Sequence, residues 1–391
     1  MRSFKPGSRG LLMFGLSAFA VSAVALIGCG GDDDGAPTAT STASTSASGT
    51  AATGLQPPVD VGKNDSANLT GTGATFPAPI YQAWFDDYNG IAKGVKVNYQ
   101  SVGSGAGISQ FTANTVDFGA SDAPMSDSDL TKAPDAQHLP TVIGAVTLAY
   151  NISGVTGLKL DGPAIAGIYL GTIKKWDDPA IKALNSGVNL TSADIQIAYR
   201  SDSSGTTFVF TDYLSKVSPE WKAGPGTSKA PAWPVGQGGQ GNEGVTNVVK
   251  QTPNSIGYVE LNYAIVNKLS FADVKNAAGK FVAPSIASAS AAAAGVTIPE
   301  DYRVSITNAA GDASYPITSF TFLLLYKTTG SCSQQTPLVN MLWWMYHDAT
   351  AQETAAEENY APLPPSLLPR VEATLKSLKC DGGSKSSLAA G

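Results

Sequence analysis

Residues 195–214 read IQIAYRSDSSGTTFVFTDYL, which predicts a strand, a polar turn and a helix in one unbroken run. Residues 195–199 are the strand, and Phe208, Val209, Tyr213 and Leu214 then recur as a helical stripe. Between them, Ser204, Gly205 and Thr206 stand where the first helical amides have no intrahelical acceptor. A helix start carries free N–H groups and a partial positive charge, so it can hold an anion. Arg200, four residues ahead of Ser204, adds a guanidinium fork that matches an oxyanion.

The pattern recurs upstream. A strand at 69–73 leads into Thr75-Phe76, with Thr75 expected to cap a helix that begins near Phe76 or Pro77 and carries Ile80, Trp84 and Tyr88. A strand at 95–99 leads into Ser104-Gly105 and a helix with Ile108 and Phe111. A third strand, 116–120, closes on Ser121-Asp122-Ala123-Pro124. Taken singly, each turn is also readable as ordinary N-capping, and Asp122 as a turn residue. These glycine-rich stretches lack a Gly-Lys-Ser/Thr ending, and no Gly-x-Gly-x-x-Gly follows a strand, so they are not P-loops.

The apolar run 142–151 predicts a central strand passing between lobes. Helices are expected at 164–169 and 180–184, and a glycine-laden loop at 236–244 precedes a helix and a strand at 256–260. The Ser/Ala stretch 285–294 reads as a surface helix, 315–326 as a strand, and 337–347 and 365–378 as terminal helices. Alternating strands and helices indicate an α/β fold with largely parallel sheets. At 391 residues the chain exceeds one core, so two domains are expected.

The chain has 25 basic and 31 acidic residues, a balance that argues against nucleic-acid binding. Two histidines, His138 and His347, and three cysteines leave little for zinc sites or histidine-dependent triads. Arg2, Lys5 and Arg9 precede an apolar run that ends in Leu26-Ile27-Gly28-Cys29. A basic start, an apolar middle and small residues before a cut describe a secretory signal over 1–28. Its end resembles the lipobox of bacterial lipoproteins, in which the cysteine is diacylated, so Cys29 is the expected lipidation site and membrane anchor. An uncleaved membrane anchor is the alternative. Loss of 1–28 would leave 22 bases against 31 acids, a net charge of −9. Residues 29–66 are rich in Gly, Asp, Thr, Ser and Ala and read as a flexible tether, and 382–391 as a disordered tail. Export would place Cys332 and Cys380 in an oxidising space, where they can form one intramolecular disulfide.

Six stretches carry a resemblance: 71–81 (GTGATFPAPIY), 100–107 (QSVGSGAG), 114–124 (NTVDFGASDAP), 168–178 (IYLGTIKKWDD), 200–210 (RSDSSGTTFVF) and 256–260 (IGYVE). In this order they resemble the phosphate-binding lipoproteins of bacterial phosphate-specific ABC transporters, the PstS family, over about 67–380. The resemblance implies a two-lobed periplasmic binding protein fold of the class II type, with lobes at 67–146 plus 316–381 and at 147–315. Crossing strands would join them, with inorganic phosphate in the cleft.

Carried over by position, Thr75 and the Phe76 amide donate from the first turn and Ser104 from the second, while Asp122 accepts a proton held by the phosphate. Arg200, steadied by Asp202, and Ser204, Gly205 and Thr206 complete the cage. Ser203 departs from the glycine frequent in the family. The resemblance further implies an extracytoplasmic, monomeric receptor that delivers phosphate to permease subunits, with no cofactor and no metal. Phosphate keeps a proton at neutral pH and sulfate does not, so a buried carboxylate separates the two. A phosphate sensor or adhesin, or a phosphoester hydrolase using Ser204, is the competing reading. Hydrolysis needs a base or metal beside the serine, and neither histidine lies near a ligand turn in sequence.

Overall fold

The computed structural model describes residues 62–388. The signal segment, Cys29 and the tether up to residue 61 lie outside the described residues.

One strand organises the molecule. Ala136–Asn151 is 16 residues long and buried almost throughout, as its apolar run requires. Its first part pairs with the strand Thr318–Tyr326, and residues 146–151 pair with Ser255–Glu260. At about 3.3 Å per residue it spans roughly 50 Å, enough to run through both lobes. On one side the order continues through Phe118–Ser121 and Ser66–Gly73 to Gly94–Ser101, and on the other through Gln196–Arg200 to Gln237–Gly239.

The outer strands are parallel, as expected. The middle is not: the long strand runs antiparallel to both neighbours. The chain crosses on the long strand and returns on Thr318–Tyr326, so this pair must run in opposite directions.

Each lobe is filled by aromatic side chains. In one, Tyr81, Phe85, Tyr99 and Phe118 meet with ring centroids 5.6 to 6.2 Å apart. In the other, Tyr169, Phe210, Tyr258 and Trp233 form a similar group. Such rings dominate core energetics through their area.

Several expectations need correction. The Ser/Ala stretch forms the helix Ile286–Ala294, which buries Ala289, Ala292 and Ala293 on one face and leaves Ala287 and Ala294 exposed. The helix read at 337–347 begins at Cys332, with Pro337 inside it, and a further helix covers Ala349–Glu357. Residues 62–66 already belong to the folded body, since the first strand begins at Ser66. The tail is folded as far as 388: Lys385–Ser386 pairs with Lys379–Cys380, and the Ser387 amide donates to the Leu378 carbonyl at 2.9 Å. A disulfide joins Cys332 to Cys380, so the start of one terminal helix is tied to this hairpin.

Candidate functional site: a buried cluster of hydroxyls, one arginine and one carboxyl

The second and third polar turns interlock. The Gly105 amide donates to the Ser203 carbonyl at 2.8 Å. A β-carbon on Gly103 would stand 2.3 Å from Asp202 Oδ2, and one on Gly205 would stand 2.3 Å from Ser104 Oγ and 2.5 Å from Asp122 Oδ2. Only glycine permits so close an approach. Gly103 also adopts φ 97°, which glycine tolerates. Ser203 stands where a β-carbon on Gly105 would meet its side chain, so the departure from glycine sits at this interlock.

Ser204 precedes the helix Gly205–Val217 and accepts from the Thr207 amide at 3.0 Å, an ordinary cap. The Gly205 and Thr206 amides come before the first intrahelical bond. Ser104 opens the helix Ser104–Thr112, and its hydroxyl accepts from the Asp122 amide at 3.2 Å. Thr75 does not cap the first helix as expected. That helix, Ala78–Ile91, follows Pro77 with no side-chain cap. The Thr75 hydroxyl instead accepts from Asn242, through the backbone amide at 3.1 Å and Nδ2 at 2.7 Å. Phe76 is fully buried, and its carbonyl accepts from the Tyr360 hydroxyl at 2.6 Å.

Arg200 is buried, and its fork grips Asp202: Nε donates to Oδ1 at 2.7 Å and Nη2 to Oδ2 at 2.5 Å. Its remaining nitrogen, Nη1, donates to Thr206 Oγ1 at 3.3 Å. Burial pushes the Asp202 carboxyl up, but the Arg200 hydrogen bonds and charge and the Gly241 amide outweigh it and hold Asp202 below the usual carboxylate range. Asp202 is therefore a charged brace for Arg200.

Asp122 is the opposite case. It is 1% exposed; Oδ1 accepts from the Thr321 hydroxyl at 2.8 Å, and Oδ2 has no hydrogen-bond partner. Burial pushes its pKa up to about 7, against the lowering influence of Thr321, Arg200 and Ser104. An unpartnered buried carboxylate oxygen is costly, and this one faces Gly205 between two helix starts.

The structure thus gathers Ser104, Asp122 and Gly205 at one point, and Thr75, Arg200 and Thr206 around Asn242. Asn242 and Thr321 were not singled out from the sequence, and Tyr258 and Glu260 entered only as part of the stretch 256–260. Tyr258 accepts at its hydroxyl from the Arg200 amide at 3.0 Å and so fixes the backbone of the third turn. Glu260 is fully buried at the end of IGYVE, with its carboxyl held well above the usual range by burial.

The two histidines lie elsewhere. His138 Nε2 accepts from the Met125 amide at 3.0 Å, and burial pushes its pKa down to about 4. His347 meets the Trp343 carbonyl and Glu372. Among the described residues no group of three or more His, Cys, Asp or Glu is arranged to hold a metal ion.

A model of the PBP superfamily domain matches residues 37–341. The phosphate-binding protein PstS of Xylella fastidiosa is 44% identical over 320 residues, which cover 81% of this chain and 87% of that protein. PstS of Pasteurella multocida is 44% identical over 313 residues, 79% of this chain and 90% of that one. The fold is also that of a high-affinity periplasmic phosphate-binding protein (PfluDING) solved with phosphate, at TM-score 0.65 and 24% identity over 78% of this chain and 93% of that one. Close relatives along most of both chains, joined to a two-lobed fold, place the sequence plainly: the chain belongs to the PstS family of phosphate-binding proteins, within the PBP superfamily.

Proposed function

We propose that this chain is the extracytoplasmic receptor of an ABC transporter, capturing one inorganic phosphate between lobes at 67–146 plus 316–381 and 147–315. Thr75, Ser104, Ser204 and Thr206 donate hydroxyl protons to the anion, and the amides of Phe76 and Gly205 donate beside them. Arg200, braced by Asp202, supplies the charge-assisted bond. Asp122 accepts the proton that phosphate retains. The anchor is the diacylated Cys29, and the receiving partner is the permease. The disulfide at Cys332 and Cys380 fits an oxidising space outside the cytoplasm.

One observation carries this reading: a fully enclosed carboxylate oxygen, without a partner, faces the start of the Gly205 helix beside a buried arginine. A site meant for an unprotonated dianion would gain nothing from such a group. A hydrolase is disfavoured because the Ser204 hydroxyl caps its own helix and neither histidine contacts it.

Titration calorimetry with phosphate, run beside a chromogenic phosphoester assay, tests the proposal. Saturable binding of one phosphate per chain without phosphoester turnover is expected. Turnover, or no heat with phosphate, would overturn it.

A further inference from the structure

The glycine-laden loop at 236–244 supplies none of the proposed ligand contacts, yet it delivers a buried side chain among them. Asn242 is fully buried in the first turn of the helix Gly241–Gln251. Its Oδ1 accepts from the Glu260 amide at 2.9 Å, which fixes which end of the side-chain amide is oxygen. The other end, Nδ2, donates to Thr75 Oγ1 at 2.7 Å and to Thr206 Oγ1 at 3.2 Å. The Asn242 backbone amide donates to Thr75 Oγ1 as well, at 3.1 Å, and Arg200 Nη1 donates to Thr206 Oγ1 at 3.3 Å.

A threonine hydroxyl has one proton to give and two lone pairs to receive. Both acceptor positions of Thr75 are taken by Asn242, and those of Thr206 by Asn242 and Arg200. Each hydroxyl keeps one proton, which must point away from these donors.

We infer that Asn242 is a specificity-determining positioning residue that sets Thr75 and Thr206 as obligate donors. This rests on the phosphate reading of the site and adds a rule to it. Oxygens that meet Thr75 and Thr206 must be unprotonated, because neither hydroxyl can accept. The ligand's proton is thereby directed to Asp122, whose Oδ2 is the unpartnered acceptor. Asn242 touches no ligand atom in this scheme; it acts through the two threonines, one from each side of the cleft.

A double-mutant cycle tests this. Phosphate affinity is measured by calorimetry on the full chain for wild type, Asn242→Ala, the pair Thr75→Val with Thr206→Val, and all three changes together. Asn242→Ala is expected to weaken phosphate binding at least about tenfold, as fits misaligned bonds to a charged ligand. In the double-valine background the same change should cost less than about twofold, since the groups it acts through are gone. A merely structural role would give equal losses in both backgrounds. Equal losses, or wild-type affinity in Asn242→Ala, would overturn the inference while phosphate binding by wild type left the underlying reading intact. Absence of phosphate binding in wild type would overturn that reading instead. Circular dichroism reports folding, and if Asn242→Ala unfolds, Asn242→Leu takes its place in the same cycle because it keeps the volume.

Discussion

The α-carbon of Gly205 lies against the carboxyl of Asp122 so closely that a β-carbon there would stand 2.5 Å from Oδ2. The same atom would stand 2.3 Å from Ser104 Oγ. A side chain at 205 would push the second turn from the third. Gly205→Ala is therefore expected to reduce phosphate binding more than about a hundredfold, because neither neighbour is the free end of a long side chain. Calorimetry on a variant that circular dichroism finds folded checks this, and near-normal affinity would move the anion elsewhere.

Arg200→Ala removes the only guanidinium of the site and leaves Asp202 without its fork. Charge-assisted bonds contribute about 1.5–3 kcal/mol each, so phosphate affinity should fall at least about tenfold. Asp202→Asn should weaken binding by less, since Arg200 keeps its charge and loses its brace. A ranking in the other order, measured by calorimetry, would contradict the roles given to the two residues.

The disulfide ties the start of the helix Cys332–His347 to the terminal hairpin. Closing a loop with sequence separation 48 stabilises the fold by about 4 kcal/mol in the chain-entropy model. Replacing Cys332 and Cys380 by serine should lower the denaturation midpoint without changing phosphate affinity more than about twofold. Denaturant melts and calorimetry on the same preparation separate the two effects.

The buried Asp122 makes the ligand-free protein sensitive to pH. Its folded pKa, about 7, is raised above the ordinary 3.8. The folded state therefore holds a proton that the unfolded chain releases. This stability is fully present below about pH 4 and is lost progressively as pH rises from about 4 to about 7. Protonated Asp122 can also donate to an unprotonated oxygen. Sulfate binding should accordingly strengthen as pH falls from about 8 to about 5.5, and Asp122→Asn should flatten that dependence. Sulfate affinity that is constant over this range in wild type would contradict the assignment.

Much of the candidate site was legible because the groups proposed to hold the anion sit in short, local signals. Ser204, Gly205 and Thr206 follow a strand and open a helix, and Arg200 lies within the same run. The groups that orient them were not legible. Asn242 reaches Thr75 across 167 residues, and Thr321 reaches Asp122 across 199. Thr321 is one of three Ser/Thr hydroxyls in the strand Thr318–Tyr326, and nothing in its neighbours marks it out from Thr318 and Ser319. The Thr75 cap failed for the same reason: a distant asparagine claims the hydroxyl that the local pattern assigned to the helix. For the fold, strand and helix alternation led to the α/β class. The antiparallel centre depends on where the chain crosses and returns, which periodicity does not report.

In the proposed site, Asp122 reads the proton on phosphate. Asp122→Asn keeps a carbonyl acceptor but removes the charge, and its amide can donate to an unprotonated oxygen. Calorimetry of phosphate and sulfate at one pH near 8 and one ionic strength, on wild type and Asp122→Asn, measures this directly. A modest fall in phosphate affinity and a clear narrowing of the phosphate-to-sulfate ratio are expected. A ratio that stays as wide in the variant as in wild type would contradict this reading, and would leave Asp122 as a turn residue beside the cleft.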